Sequence, residues 1–292
     1  MLIAADAELP DTEIERKPQP FLRWAGGKRW LVPKISRWLS GTEIGAFHEP
    51  FLGGGAVFFG LDLPGASHLS DMNDELIATY RAVRDDYATV SKLLEVWTND
   101  EDVYYSVRSD QPDGLAARAA RFIFLNHHSF NGIYRVNRQG KYNVPFGHRP
   151  RLYSPSLSTL AAAASKLSSA RLTSGDFAEK LSIVQRRDLV FLDPPYATEL
   201  SGGFVKYNPV TFSWSDQSRL QHALEAIRSK GAYFVLSNAN DSQIQALFET
   251  TKTQEATVKV SRGNSIGGLK APRGSVAELI FTNLPGALDD NS

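Results

Sequence analysis

The pattern of apolar and polar positions divides the chain into short apolar runs and longer amphipathic stretches. Apolar residues spaced by three and four predict helices over residues 75–97, 114–127 and 156–168, and Ser215 and Asp241 are suited to cap two more. Short runs rich in β-branched and aromatic residues predict strands at residues 46–51, 67–70, 171–177, 189–192, 233–236, 257–260 and 276–282. Strands that alternate with helices are typical of an α/β fold with a parallel sheet, and the last two strands predict a terminal hairpin.

Acidic side chains directly follow two of these strands. The strand at 189–192 runs into Asp193-Pro194-Pro195-Tyr196, where the two prolines forbid further strand or helix. Asp71 follows the second strand, where nucleotide-binding sheets bind ribose hydroxyls, although a helix cap is a simpler role for it. Because ligands of open α/β sheets bind beyond the carboxyl ends of the strands, we expect a site at this edge.

Glycine turns lie beside the same edge. Gly53-Gly54-Gly55 joins the first strand to a helix, which allows close approach of the backbone to a nucleotide. It is not the dinucleotide pattern, because the third glycine of that pattern would fall at Phe58. Gly26-Gly27 with Lys28 forms either an anion cradle or a simple turn. Asp176-Phe177 offers an acceptor and a ring to an adenine.

Composition excludes several classes of protein. The 292 residues are 42% hydrophobic and include no cysteine, so disulfides, thiolate zinc sites and cysteine nucleophiles are excluded. No apolar run has the length of a membrane span, and the first residues do not resemble a secretory signal. We therefore expect a cytoplasmic protein of one large or two medium domains that does not contact membranes.

The formal net charge is zero, but the charges are segregated. Two shorter basic windows without acids lie at 16–42 and 257–277. The longest acid-free window, Gly114 to Gly175, has these basic residues: Arg118, Arg121, Arg135, Arg138, Lys141, Arg149, Arg151, Lys166 and Arg171. Solvated helix faces would explain any one window, but three together favour nucleic acid binding.

The segment from 126 to 151 is the candidate DNA-reading element, because Asn, Arg and Gln side chains read base edges and its aromatic residues can stack or wedge between bases. The adjacent His127 and His128 would point to different faces of a helix, so no metal site is expected. The candidate DNA-binding residues are Asn131, Arg135, Asn137, Arg138, Lys141, Pro145, His148 and Arg149, with Arg262, Lys270 and Arg273 in a later glycine-rich loop.

Seven motifs in order resemble those of the Dam-type (D12 class) DNA adenine-N6 methyltransferases. They lie between residues 20 and 283, at Phe21–Lys28, Glu49–Gly55, Asp71–Asn73, Asn131–Gly147, Gly175–Phe177, Asp193–Tyr196 and Ser237–Asn238. The resemblance implies a Rossmann-like α/β sheet that uses S-adenosylmethionine, with a reversed terminal hairpin. It also implies a catalytic domain at 20–76 and 166–285, an inserted helical target-recognition domain at 77–165, and tails at 1–19 and 286–292.

The resemblance also assigns roles to residues of this chain. The target adenine would be served by Asp193, Pro194 and Tyr196, with Asp193 also bordering the cofactor. The carboxylate and the Pro194 carbonyl would accept hydrogen bonds from N6, while Tyr196 stacks on a base flipped out of duplex DNA. The cofactor would be bound by Trp24 and Lys28 at its methionine end, Phe51 and Gly53 along the pocket, Asp71 at the ribose, and Asp176 and Phe177 at the adenine.

Specificity and rival functions depend on single positions. Arg135 matches the guanine-reading arginine of family members that methylate GATC, but His148 replaces their basic residue after Asn-Val-Pro-Phe-Gly. Cytosine-N4 methylation usually goes with Ser in place of Asp193, and RNA or glutamine methylation with Asn. A nicotinamide oxidoreductase needs the missing glycine, and a DNA-binding protein without catalysis needs no Asp193. Pairing with a restriction endonuclease and the oligomeric state are left open.

Overall fold

The computed structural model of the chain describes residues 17–63, 65–150, 154–195, 212–249, 255–263 and 275–289. Within these ranges one mixed sheet is formed by β1 (Phe47–Glu49), β2 (Ser67–Asp71), β3 (Ala170–Ser174), β4 (Leu189–Leu192), β5 (Tyr233–Ala239), β6 (Ala256–Gly263) and β7 (Ser275–Thr282). The strand order is β3-β2-β1-β4-β5-β7-β6; β7 runs antiparallel to β5 and β6, and the other pairs of described strands are parallel. The predicted Rossmann-like sheet and its reversed hairpin are confirmed.

Helices connect and cover these strands. They are α1 (Val32–Trp38), α2 (Ala56–Gly60), α3 (Asp74–Glu95), α4 (Glu101–Ser109), α5 (Leu115–His128), α6 (Leu157–Leu167), α7 (Phe177–Lys180), α8 (Trp214–Ser229), α9 (Ser242–Phe248) and α10 (Pro285–Asp289). No helix within the described ranges is long and apolar enough to cross a membrane. The helices predicted at 75–97, 114–127 and 156–168 correspond to α3, α5 and α6.

Alternate side chains along the strands pack into two cores. Phe191 of β4 belongs to the core that also contains α1, α3, α5 and α6. Val190 and Leu192 on the same strand belong to the other core, with α7, α8 and α9. A strand buried on both faces has no polar positions, which explains the continuous apolar run at 189–192.

The inserted helices share the first core with the sheet. Tyr104 of α4 and Phe124 of α5 lie in the same cluster as Phe47 and Leu69 of the strands. The predicted domain boundary between residues 76 and 77 lies inside α3, because this helix runs from Asp74 to Glu95. At the other end of the chain, α10 buries Ala287 fully, so the packed region extends past residue 285.

Three local predictions need correction. The cap of α8 is Ser213 rather than Ser215, because Ser213 and Asp216 form a reciprocal capping box. The strand predicted at 171–177 ends at Ser174, and Phe177 begins α7. Helix α3 is kinked at Asp86, which has φ −153° and ψ 54° and therefore cannot be helical.

Candidate active site and DNA-reading hairpin

The loop after β1 is held from two sides. Asp71 at the end of β2 accepts the Gly53 N–H through Oδ2 at 2.9 Å and the Asn73 N–H through Oδ1 at 3.0 Å. Buried Tyr80 donates its hydroxyl to the Gly53 carbonyl at 3.0 Å. Burial raises the pKa of Asp71, although these backbone hydrogen bonds act in the opposite direction. The predicted ribose acceptor thus lies beside the predicted glycine turn.

The glycine at position 53 is required by Trp24. Gly53 has φ +47°, and a Cβ added there would lie 2.7 Å from Cδ1 of the Trp24 indole. A Cβ at Gly54 would lie 2.9 Å from the Trp24 Cβ. The indole is also stacked on the ring of Tyr134, with the ring centroids 6.1 Å apart. Trp24 therefore connects the predicted cofactor loop with the segment predicted to read DNA.

The predicted adenine-binding residues come together with a cation. Asp176 caps α7 by accepting the Ala178 N–H, and its Oδ1 lies 2.5 Å from Nη2 of Arg219 on α8. The same guanidinium lies 4.9 Å above the ring of Phe177. The Phe177 ring lies 5.2 Å from that of Phe51. Sequence reasoning missed Arg219, which is 43 residues from Asp176 in the chain.

The carboxylate of Asp193 stands at the end of β4 and is paired with Lys28. The Lys28 Nζ lies 2.8 Å from Asp193 Oδ1 and 3.6 Å from Glu278 Oε2 on β7. It also donates to the Gly26 carbonyl at 2.8 Å. The Lys28 side chain is 3% exposed and that of Asp193 is 21% exposed. The anion beside the Gly26-Gly27 turn is thus the carboxylate of Asp193, the catalytic candidate of the protein itself. The sequence did not predict this contact.

Glu49 is a further carboxyl group near this site. It is fully buried on β1 and accepts the Phe58 N–H at 3.1 Å. Burial raises the pKa of Glu49 well above its ordinary value, and the charges of Asp193 and Asp71 raise it further. The neutral form of Glu49 is therefore favoured, which limits the negative charge held at this edge of the sheet.

The residues at this edge fit an adenosine-type cofactor such as S-adenosylmethionine. Asp71 and Asp176 are acceptors suited to ribose hydroxyls and an adenine amine, and Phe177 offers a ring face. The strand order reverses between β1 and β4, so this edge is the topological switch point where such sheets bind ligands. The cofactor roles of these residues stay predictions.

The candidate DNA-reading segment contains a small hairpin. Val136 and Tyr142 form an isolated antiparallel bridge, and the Asn137 Oδ1 accepts the N–H groups of Gln139 and Lys141 to hold the turn. Arg135 donates from Nε to Asn143 Oδ1 at 2.7 Å, which orients its guanidinium. The exposed side chains of this hairpin are Arg135, Arg138, Gln139 and Lys141.

The remaining candidates of this segment lie beside the hairpin. Asn131 has φ +57° and accepts from Nη2 of Arg149 at 3.1 Å. His148 is exposed and also has positive φ, while Pro145 is exposed and its carbonyl accepts the Phe130 N–H at 2.9 Å. Asn131 and Arg149 are thus paired with each other in this conformation.

Not all basic side chains of the window from Gly114 to Gly175 face outward. Arg121 donates to the carbonyls of Val107 and Arg108, and Lys166 donates to the Leu61 carbonyl at 2.5 Å. Burial lowers the pKa of both side chains. Part of the positive charge counted in the sequence therefore binds carbonyls inside the fold.

The two adjacent histidines have structural contacts. His127 Nε2 lies 2.8 Å from the Phe21 carbonyl, and His128 Nδ1 lies 2.9 Å from the Phe124 carbonyl. In the part of the chain that the structure describes, no three metal-binding side chains are grouped. Several other predicted residues lie outside the described atoms: Tyr196, Lys270, Arg273 and the side chain of Arg262.

Comparison with known proteins gives consistent results. A family model for the D12 class N6 adenine-specific DNA methyltransferases matches residues 24–262. The Type II methyltransferase M1.LlaDCHI of Lactococcus lactis subsp. cremoris is 33% identical over 91% of this chain and 95% of its own. The DNA adenine methylases of Salmonella typhi and Escherichia coli K12 are 32% and 31% identical, over 93% and 94% of this chain and 97% and 98% of theirs.

A solved glycopeptide N-methyltransferase complexed with sinefungin is 12% identical and covers 94% of this chain and 74% of its own, with a TM-score of 0.29. That score is too low to carry an argument. The family model and the relatives span most of the chain, and the carboxylate of Asp193 stands at the switch point of a Rossmann-like sheet. The chain belongs to the D12 class of N6 adenine-specific DNA methyltransferases.

Proposed function

We propose that this methyltransferase transfers the methyl group of S-adenosylmethionine to N6 of an adenine flipped out of duplex DNA, and that GATC is its recognition sequence. The observation that carries the proposal is the Asp193 carboxylate, which stands at the end of β4 with Lys28 Nζ 2.8 Å from its Oδ1. It is followed by buried Pro194, whose carbonyl is the second proposed acceptor. S-adenosylmethionine, when bound, supplies an electrophilic methyl group on a sulfonium.

The proposed role of Asp193 is to accept a hydrogen bond rather than to remove a proton before transfer. The N6 lone pair of adenine is delocalised into the ring, which makes the amine a poor nucleophile. Acceptors at Asp193 and Pro194 would turn this lone pair out of the ring and stabilise the positive charge that develops on N6. Lys28 supports this role because a paired cation favours the ionised carboxylate.

The target adenine is unreachable inside a duplex, so the proposal includes base flipping. Stacking of Tyr196 on the flipped base rests on the sequence motif alone. Asp71, Asp176 and Phe177 are proposed to bind the cofactor, with Trp24, Phe51 and Gly53 lining its pocket.

Sequence reading is assigned to the hairpin around Arg135. Its exposed guanidinium, oriented by Asn143, is suited to the O6 and N7 acceptors of guanine in the major groove. Exposed Arg138 and Lys141 are suited to phosphates. The same assignment extends to Asn131, Asn137, Pro145, His148, Arg149, Arg262, Lys270 and Arg273. A cytoplasmic location stays a prediction.

The test is to incubate the purified protein with unmethylated plasmid and labelled S-adenosylmethionine and to map the modified bases. We expect N6-methyladenine within one short sequence. Asp193→Ala should bind cofactor and DNA but transfer methyl groups at least about 100-fold more slowly. Methylated cytosine, RNA as the only substrate, or unchanged turnover in Asp193→Ala would contradict the proposal.

The proposed reading role has its own test. Arg135→Ala should relax the sequence preference by about 1–3 kcal/mol at one base pair. Arg138→Ala is the matched control, because an exposed phosphate-binding arginine should weaken all duplexes about equally and reduce the salt dependence. Equal effects of both variants on specificity would refute this division.

A further inference from the structure

Glu278 is a carboxylate in the apolar middle of strand β7. It lies on β7 between Ala277 and Leu279 and is fully buried. β7 pairs with strands on both sides, so no edge of it faces solvent. Burying a charged group costs several kcal/mol unless the group is paired and hydrogen-bonded. A buried carboxylate at this position therefore needs a cation. The apolar pattern of a core strand gives no reason for an acidic residue there.

The cation beside Glu278 is the same one that pairs with the catalytic candidate. Lys28 Nζ lies 3.6 Å from Glu278 Oε2 and 2.8 Å from Asp193 Oδ1. Ser237 of β5 donates its hydroxyl to Glu278 Oε2 at 3.3 Å. One ammonium is thus shared by two carboxylates from different strands, and a serine hydroxyl helps to hold the second carboxylate.

The total charge of Lys28, Asp193 and Glu278 differs from that of a simple ion pair. The charges of Lys28 and Asp193 sum to zero, and an ionised Glu278 adds one negative charge beside this pair. Positive charge develops on the amine during methyl transfer, and a site with net negative charge stabilises it better than a neutral site. A second carboxylate on Lys28 also limits how strongly the ammonium neutralises Asp193.

We propose that Glu278 is a positioning residue for methyl transfer, which holds Lys28 and thereby keeps the Asp193 carboxylate oriented toward the target amine. The inference rests on the proposed function of Asp193. Glu278 acts through Lys28, so it is expected to influence the rate of the transfer step and not the binding of cofactor or DNA. A merely structural salt bridge would instead affect only the stability of the fold.

The test uses full-length Glu278→Gln, which keeps the size of the side chain and removes its charge. We expect the single-turnover rate of methyl transfer to fall about 10- to 100-fold. The Kd values for S-adenosylmethionine and for duplex DNA, measured separately, should stay within about twofold. Glu255→Gln is the matched control, because Glu255 pairs with Arg228 at 2.5 Å, is 7% exposed and lies outside the site.

The pH dependence of the single-turnover rate distinguishes positioning from stability. The charged groups near Asp193 in the described ranges include Lys28 from the segment before α1, Glu278 from β7 and Glu49 from β1. Without the Glu278 charge, the ammonium of Lys28 acts more strongly on Asp193, so the acidic limb of the profile should move to lower pH. In Lys28→Met it should move to higher pH. A structural salt bridge predicts no such opposite shifts.

Each outcome decides the proposal. If wild-type protein does not methylate DNA, both the proposed function and this inference fail. If wild-type protein is active and Glu278→Gln transfers at the wild-type rate, only the inference fails. If Glu278→Gln does not fold, Ser237→Ala takes its place, since it removes the 3.3 Å hydrogen bond without changing charge. It should slow transfer about fivefold, and an unchanged rate overturns the role of Glu278.

Discussion

At the scale of single residues, Gly53 and Trp24 are fitted to one another. Gly53→Ala should destabilise the fold by about 1–3 kcal/mol, because φ +47° strains a side chain and the new Cβ would lie 2.7 Å from the indole. Urea unfolding measures this loss. Gly41→Ala is the matched control, since Gly41 has φ +75° with open space around its Cα. Gly41→Ala should show only the backbone strain, so an equal loss at both positions would contradict the steric account.

The same contact predicts non-additive mutations. Trp24→Ala removes the atoms that the Gly53→Ala methyl group would meet. The double variant should therefore lose less stability than the sum of the two single variants, by about 0.5–3 kcal/mol, while the strain of the positive φ stays. Additive losses in urea unfolding would mean that the loop moves away from the indole instead.

Arg219 supports the predicted adenine pocket from α8. Arg219→Ala removes the 2.5 Å contact with Asp176 and the cation over the Phe177 ring. Because both contacts are present before the reaction, we expect the KM for S-adenosylmethionine to rise about 3- to 10-fold with little change in kcat. Arg187→Ala, which removes an exposed pair with Glu43, is the control. A fall in kcat at an unchanged KM would contradict this role.

Some site residues could be predicted from the sequence and others could not, for a physical reason. Asp193 directly follows β4 and Asp71 is the last residue of β2, so their position at the ligand edge is a local consequence of where each strand ends. Arg219 and Glu278 reach the site from distant elements, and such contacts depend on packing that no local pattern records. Glu278 did leave one signal, because a single acid in an apolar strand needs a partner.

At the scale of elements, α3 behaves as two helices. The sequence predicted one continuous helix, since apolar spacing does not change at Asp86. The structure breaks the helix there, and Asp86 Oδ1 accepts the Thr89 N–H at 3.3 Å, as a cap would. Helix α4 was missed, although Asp100 is a cap of the same kind and Val103, Tyr104 and Val107 have helical spacing. A polar capping signal was therefore present in the sequence in both places.

The kink yields a prediction about stability. Asp86→Ala should lower the free energy of unfolding by about 1 kcal/mol, because the amides of the second half of α3 lose their side-chain acceptor. In a chain of this length the melting temperature should fall by about 2–4 °C. Asp85→Ala is the control, since Asp85 is exposed and forms an ion pair with neighbouring Arg84. Equal losses in the two variants would mean that Asp86 is not a cap.

At the scale of the whole molecule, buried ionisable groups with opposite effects determine how stability depends on pH. Burial lowers the pKa of His128 from 6.5, so the folded protein keeps it neutral while the unfolded chain takes up a proton below about that pH. Stability from this group is lost as the pH falls. Burial raises the pKa of Glu49 well above 4.5, so the unfolded chain loses a proton that the folded protein keeps. Stability from this group is lost as the pH rises.

Two variants should separate these contributions between about pH 5.5 and about pH 7.5, the range in which histidine titrates. His128→Asn removes the first contribution, so the free energy of unfolding should rise less steeply with pH than in the wild type. Glu49→Gln keeps an acceptor for the Phe58 N–H and removes the contribution of the Glu49 carboxyl group, so the free energy of unfolding should rise more steeply with pH. Urea unfolding at several pH values measures both slopes, with His222→Asn on the exposed face of α8 as the control. Because the two slopes should change in opposite directions, a change of the same sign in both variants would show that general charge repulsion, rather than these buried groups, controls the response to acid.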